Sequence, residues 1–274
     1  MKTFMRYNKM EIYLGYLRTN HPVSSDVYSS HIHNNYELLF FYEGDADYII
    51  NGAVYHLQKG DLMLVRPAVF HNVRILSSRP YERMIFQFDE KVLRKDLIPV
   101  LRSMENCYRI DPNSPLRRLL DYARDCSSIF SQDERLHLAK SVLNDALTHI
   151  KYVGKQETKE KEHVDSNLEK ILLYIDEHPT EVLNIAHLSK LFNLSESWIA
   201  HAFKKNLGIS PANYINRKKI FYAQSLIDMG MSPVQAAEAC SYINYTTFYR
   251  QYKKYLGSGP AEHKKNTPHE QINT

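Results

Sequence analysis

The chain has 274 residues, 43% of them hydrophobic, with 35 Lys and Arg against 31 Asp and Glu for a formal charge of +4. That length predicts two domains with cores of their own, and so mild a basic surplus means that any affinity for nucleic acid must lie in how the charges are distributed. Cys107, Cys126 and Cys240 are odd in number and lack CxxC spacing, which excludes a disulfide framework and a cysteine zinc site, and no segment approaches eighteen apolar residues. A soluble cytoplasmic protein with no membrane partner is expected.

From about Tyr28 to Phe88 short apolar runs alternate with turn signals, as in "YELLFFYEGDADYIINGAVYHLQKGDLMLVRPAVFHNVRI". Glycines in "EGDA", "INGA" and "QKGD" supply the turns that hairpins need, so the segment predicts a small antiparallel barrel or sandwich. After "DPNSP" the period changes to that of helices. Leu116, Leu119, Leu120, Ala123, Ile129 and Phe130, then Leu136, Ala139, Val142, Leu143, Ala146, Leu147 and Ile150, predict two amphipathic helices, the first capped by Ser114 with Pro115 at its first position.

The stretch "KYVGKQETKEKEHVDS" is charged and nearly free of large apolar residues, and reads as a linker over residues 151–166. Beyond it everything predicts helix, and the chain repeats itself: "FKKNLGISP" from Phe203 returns as "YKKYLGSGP" from Tyr252, an offset of 49. Two copies are too few for a solenoid. In each copy a short helix, Ile185 to Phe192 or Val234 to Ser241, is followed by a tight turn and a second helix opened by Ser195 or Asn244, both good caps. That is the pattern of a helix-turn-helix, whose second helix enters the major groove of duplex DNA. Lys204, Lys205, Arg217, Lys218, Lys219, Arg250, Lys253 and Lys254 stand against only Asp228 and Glu238 between Ser197 and Tyr255, which fits a phosphate-binding face.

On "LSKLFNLSESWIAHAFKKNLGISPANYI", "RKKIFYAQSLI" and "SPVQAAEACSYINYTTFYRQYKKYLG", residues 167–264 resemble the DNA-binding domain of the AraC/XylS family of transcription regulators. This resemblance implies two helix-turn-helix units joined by a long helix, with base-facing roles for Ser197, Ala200 and His201 in one unit and Tyr245, Thr246, Thr247 and Arg250 in the other. Arg250 can pair bidentately with guanine, and Lys204 and Lys253 suit phosphates. Trp198, Phe203, Phe248 and Tyr252 fall on the opposite face and are expected in the core. Ser241-Tyr242 stands where the family has Gly-Phe, and Gly259-Pro260 where it has Ser-Pro.

"HIHNNYEL" carries a second resemblance. His31, His33, Glu37 and Gly44 match the cupin pattern H-x-H-(x)3-E-(x)6-G, with Ser25 in place of its leading glycine, and Gly60, Pro67 and His71 echo the second cupin motif, with Val69 for a glycine and His71 one position early. A cupin-like barrel is common among sensor domains of sugar-responsive AraC family regulators. Three readings of the histidines stay open: an effector pocket of His31, His33, Glu37, His71 and Tyr42; structural hydrogen bonding; or a metal site of His31, His33, Glu37 and His71. No cofactor is expected. Tyr36, Phe40, Tyr42, Tyr48 and Tyr55 would add aromatic surface suited to a sugar.

The expected fold class is α+β and multidomain: an N-terminal antiparallel β cupin-like barrel plus helices, then an all-α domain with two helix-turn-helix units. The expected divisions are an effector-sensing domain over 1–112, a helical dimerisation or docking segment over 113–150, the linker over 151–166 and the DNA-binding domain over 167–274. Together they read as a DNA-binding transcription regulator, an activator acting as a homodimer, that answers a small effector such as a sugar and is not an enzyme. The rival reading is a cupin metalloenzyme fused to a helical interaction domain.

Overall fold

The computed structural model describes residues 12–20, 31–127, 129–153, 157–158 and 165–262. The chain divides into two compact units, residues 7–164 in one and residues 165–274, with 1–6, in the other. Most of the expected linker, and Ser25, lie outside the described residues.

Among the described residues, the first unit holds nine strands: β1 (Ile12–Thr19), β2 (Tyr36–Glu43), β3 (Ala46–Ile50), β4 (Ala53–His56), β5 (Asp61–Val65), β6 (His71–Ile75), β7 (Tyr81–Phe88), β8 (Cys107–Arg109) and β9 (Glu157–Thr158). They form a six-stranded sheet in the order β1-β7-β2-β5-β8-β9 and a three-stranded sheet in the order β4-β3-β6, with antiparallel pairing throughout. The helices are α1 (Ile98–Ser103), α2 (Pro115–Ser127) and α3 (Gln132–Val153). As expected, Ser114 Oγ accepts the Arg117 amide at 3.1 Å. Ile129 does not continue the apolar face of α2; it stands exposed between the helices.

The pleat explains how this unit is layered. Successive side chains on a strand point to opposite faces, so on β2 Leu38, Phe40 and Tyr42 turn one way and Glu37, Leu39 and Phe41 the other. The first set joins Leu62 and Leu64 of β5, Met84, Phe86 and Phe88 of β7, and the apolar faces of α2 and α3 in one core. Residues 113–150 are thus built into the same core as the large sheet.

In the second unit the helices are α4 (Ser166–Glu177), α5 (Ile185–Phe192), α6 (Glu196–Leu207), α7 (Pro211–Asp228), α8 (Pro233–Ala239) and α9 (Tyr245–Leu256). Each has a side-chain cap: Asp165, Asn184, Ser195, Ser210, Ser232 and Asn244 all accept amide protons from the first turn that follows. Gly208 and Gly257 end α6 and α9 at φ 73° and 80°, left-handed values that cost a residue without a side chain little. The long α7 joins the two copies. Near its start Tyr214 packs on Phe203 of α6, its hydroxyl donates to Asp176 of α4 at 3.1 Å, and Lys218 pairs with the same carboxylate at 2.8 Å. Its later turns, through Ile220, Ala223 and Ile227, share a core with Ala236, Ala237, Cys240, Phe248 and Tyr252.

The offset of 49 holds for the second helices only. Their caps, Ser195 and Asn244, differ by 49, whereas the caps of α5 and α8, Asn184 and Ser232, differ by 48. The first turn passes from the left-handed Asn193 (φ 53°) through Leu194 to Ser195; the second passes from Ser241 (φ 58°) through Tyr242 and Ile243 to Asn244. One residue, Ile243, is therefore extra. Ser241 holds its unfavourable φ with its hydroxyl donating to the carbonyl of Thr180. Trp198 corrects the core expectation: Phe203, Phe248 and Tyr252 are fully buried, but Trp198 is only half-buried. No helix among the described residues is long and apolar enough to cross a membrane.

Candidate functional site

Two places collect the residues singled out by sequence. In the second unit, Ser197, Ala200, His201 and Lys204 recur at spacings of three and four along α6, and all are exposed, while Ile199, Ala202, Phe203 and Leu207 face inward. On α9 Tyr245, Thr246, Arg250 and Lys253 are exposed, Thr247 is half-buried, and Phe248 and Tyr252 fill the core. Each second helix thus has one outward polar and basic face. Tyr249, exposed on α9 and absent from the sequence-derived set, lies so near Gly259 that a Cβ there would stand 3.0 Å from its hydroxyl. Only a close approach of chain segments distant by ten residues reveals this, so helical spacing alone could not.

The basic cluster is smaller than expected. Lys218 and Lys219 are buried, the first against Asp176 and the second with its ammonium donating to the Cys240 carbonyl at 3.4 Å. Arg217 is half-buried over the Tyr255 ring at 5.4 Å. Burial lowers the affinity of all three for their protons. These residues belong to the joining helix, whose inward stripe holds the two copies. Lys204, Lys205, Arg250, Lys253 and Lys254 remain on the surface.

In the first unit, His31, His33, Glu37 and His71 converge, one donor atom from each lying within 4.8 Å of the others. His31 and His33 do not share a regular strand. His31 forms an isolated antiparallel bridge with His71, His31 N to His71 O at 3.0 Å and His71 N to His31 O at 3.1 Å, which brings their rings to 4.1 Å. The Ala68 amide donates to His33 O at 2.8 Å, and His33 and His71 stand edge to face at 4.9 Å. The early position of His71 in its motif is therefore compensated by the bridge.

Glu37 is the centre of the cluster. Its Oε1 accepts the Tyr48 hydroxyl at 2.8 Å, and its Oε2 accepts Gln87 Nε2 at 2.7 Å and lies 3.2 Å from His33 Nε2 and 3.7 Å from His71 Nε2. Burial alone would raise the pKa of this carboxyl, yet the bonds and charges of His33 and His71 outweigh it and hold Glu37 well below the ordinary range. Burial, then the Glu37 charge, pushes the Tyr48 hydroxyl well up, so it stays a donor. Sequence reading missed Tyr48 as a partner and Gln87 altogether. Gln87 faces Glu37 across the β2–β7 register, and a lone amide in "MIFQF" is the signal that could have found it.

Two ring nitrogens are fixed from behind. His33 Nδ1 meets Asn35 O at 2.9 Å and His71 Nδ1 meets Val69 O at 3.0 Å; a carbonyl only accepts, so each Nδ1 carries a proton. In a neutral ring that leaves Nε2 bare, aimed at a carboxylate oxygen. The arrangement is favourable when the rings are protonated or when a cation lies between the lone pairs and Oε2. His71 Nε2 is buried and makes no hydrogen bond among the described residues. Three imidazoles, two of them oriented by carbonyls, and a carboxylate fit the donor set of a divalent first-row transition metal.

Tyr42 is not brought to this cluster. It points to the opposite face of β2, where its hydroxyl donates to Leu120 O at 3.0 Å and the guanidinium groups of Arg117 and Arg124 lie over its ring at 5.2 and 4.8 Å. Phe40 shares that face. Tyr36 stacks on Phe88, and Tyr55 reaches Asn106, so of the expected aromatic residues it is Tyr48 that bonds to the cluster.

A family described as the AraC-like ligand binding domain matches residues 21–138, and one described as a helix-turn-helix domain matches residues 188–266. The HTH-type transcriptional regulator YfiF of Bacillus subtilis is 21% identical over 84% of this chain and 77% of its own length. A response regulatory protein of Staphylococcus epidermidis, SERP2406, is 28% identical over 38% of this chain, which spans 41% of that protein's length. Among solved structures, ToxT from Vibrio cholerae aligns over 94% of this chain and 99% of its own at 15% identity and a TM-score of 0.39.

Proposed function

The chain belongs to the AraC family of transcription regulators, with a ligand-binding domain ahead of a helix-turn-helix domain, and we propose that it activates transcription by reading two successive major-groove segments in response to a small polar effector. The observation that carries this reading is the pair of outward faces on α6 and α9, each capped at its N-terminus and backed by a buried aromatic core. An α7 of 18 residues spans about 27 Å, a length suited to holding two reading heads near one turn of duplex apart. Ser197, Ala200, His201, Tyr245, Thr246, Thr247 and Arg250 face bases, and Lys204 and Lys253 face phosphates. The full chain acts as a homodimer, its contact formed by exposed Tyr122 of α2 and exposed Ile129 between α2 and α3.

The effector is assigned to His31, His33, Glu37 and His71, with a sugar as the first class to try. Support comes from the mixed donors and acceptors of the cluster and from His31 and His33, which are only partly buried. Tyr42 is withdrawn from this set. One observation favours a second reading of the same cluster: the buried His71 Nε2, which makes no hydrogen bond among the described residues, and its neighbours within 4.8 Å suit a transition metal that would act as the sensed ligand or as its anchor. Selection of bound sequences from random duplex DNA, at a stated physiological salt, tests the main reading. Two enriched blocks about 10 base pairs apart are expected; no enrichment by the folded chain in the presence of a sugar panel would overturn it. Metal content of the purified chain, compared with a His33→Ala, His71→Ala variant, separates the two readings of the cluster.

A further inference from the structure

We propose that Ile243 is a specificity-determining residue that reads a thymine methyl group in the DNA segment faced by α9. This inference rests on the DNA-binding reading above and deepens it. Ile243 is the extra residue of the second turn, with no counterpart in the first, where Leu194 leads directly to the Ser195 cap. Leu194 and Tyr242 play equivalent parts, their amides donating to Ser189 O and Ala237 O at 3.1 and 3.0 Å. Tyr242 then turns inward, its ring 5.3 Å from Phe248 and its hydroxyl donating to Gln251 at 2.8 Å. The inserted residue is left outside.

Its relative exposure is 104%, so its side chain packs against nothing among the described residues of this unit. The residue immediately precedes the α9 cap Asn244, whose side-chain oxygen is already shared by the amides of Thr246 and Thr247. That places a branched aliphatic group at the N-terminal end of a recognition helix, the end that meets base edges. A duplex offers one apolar group in the major groove, the C5 methyl of thymine. The other large exposed aliphatic residues described in this unit, Leu173, Val182, Leu191, Met229 and Val234, lie neither on a recognition helix nor in the turn that leads into one.

The test uses the full chain and the duplex it selects. Each thymine in the half-site faced by α9 is replaced in turn by deoxyuridine, which removes only the methyl, and Kd is measured at one salt for the wild type, Ile243→Ala and Ile243→Val. One replacement should weaken the wild type about fourfold, the worth of roughly one buried methyl, and leave Ile243→Ala unaffected. Ile243→Val, which keeps the branch at Cβ, should retain most of the sensitivity. Equal responses of wild type and Ile243→Ala at every position, or a selected half-site without thymine, would overturn the inference while leaving DNA binding intact. Failure of the wild type to select any duplex would instead remove the reading on which it rests, and the inference with it.

Discussion

At Glu37 a single buried carboxylate answers to four side chains, from β3, β6, β7 and the segment before β2, and its removal tests whether the cluster holds the fold together. Glu37→Gln takes away the charge that Tyr48, Gln87, His33 and His71 face. Such a loss in a buried network costs about 2–4 kcal/mol, so the first unit should melt markedly lower, measured by thermal denaturation. Tyr48→Phe removes one hydrogen bond and should cost about 1 kcal/mol. On the other unit, Arg250→Ala should relax selectivity at one base position, read from the selected site, because a bidentate contact to guanine is worth about 1–3 kcal/mol of discrimination. Lys204→Ala should weaken binding to all duplexes alike and reduce the slope of log K against log salt by about one. The parity of β2 is legible in the sequence alone: Glu37 and Tyr42 are five residues apart on one strand, and an odd separation sends them to opposite faces.

At the scale of elements, the two turns show how one residue changes a repeat. Asn193 accepts a left-handed φ readily, since short polar side chains do. Ser241 does so with less ease, and its bond to the Thr180 carbonyl offsets part of the strain. Ser241→Gly relieves the strain and loses the bond, so stability should stay within about 0.5 kcal/mol, whereas Ser241→Ala keeps the strain and loses the bond and should cost about 1 kcal/mol or more. Urea denaturation of the two variants distinguishes these outcomes. Caps were readable from sequence because capping is local chemistry: Ser114, Ser195 and Asn244 each accept the amides expected of them. The single-residue difference between turns was not readable, because an alignment anchored on Gly208 and Gly257 carries the offset of the second helices into the first. Strand β1 was also missed, although its alternating burial fits its pairing with β7 from Ile12–Phe88 to Thr19–Tyr81.

For the whole molecule, two units with separate cores imply separable behaviour. The core around Ile220, Phe248 and Tyr252 draws on residues of the second unit alone, and that around Phe40, Phe86 and Leu143 on the first. A fragment beginning at Asp165 should therefore fold by itself and select the same DNA blocks as the full chain, with a two-state unfolding transition. The sequence by itself determined the fold class and the two helix-turn-helix units, because hydrophobic period, caps and glycine stops are properties of neighbours in the chain, and the resemblance of its motifs pointed to the family. Tertiary structure decided the rest. Lys218 and Lys219 look in sequence like part of a phosphate-binding face but lie buried in the second unit, a fact set by which stripe of α7 the other helices cover. Gln87 and Tyr48 join the histidines only because strand register and the juxtaposition of the two sheets carry them across, and that geometry exists only once both sheets have formed.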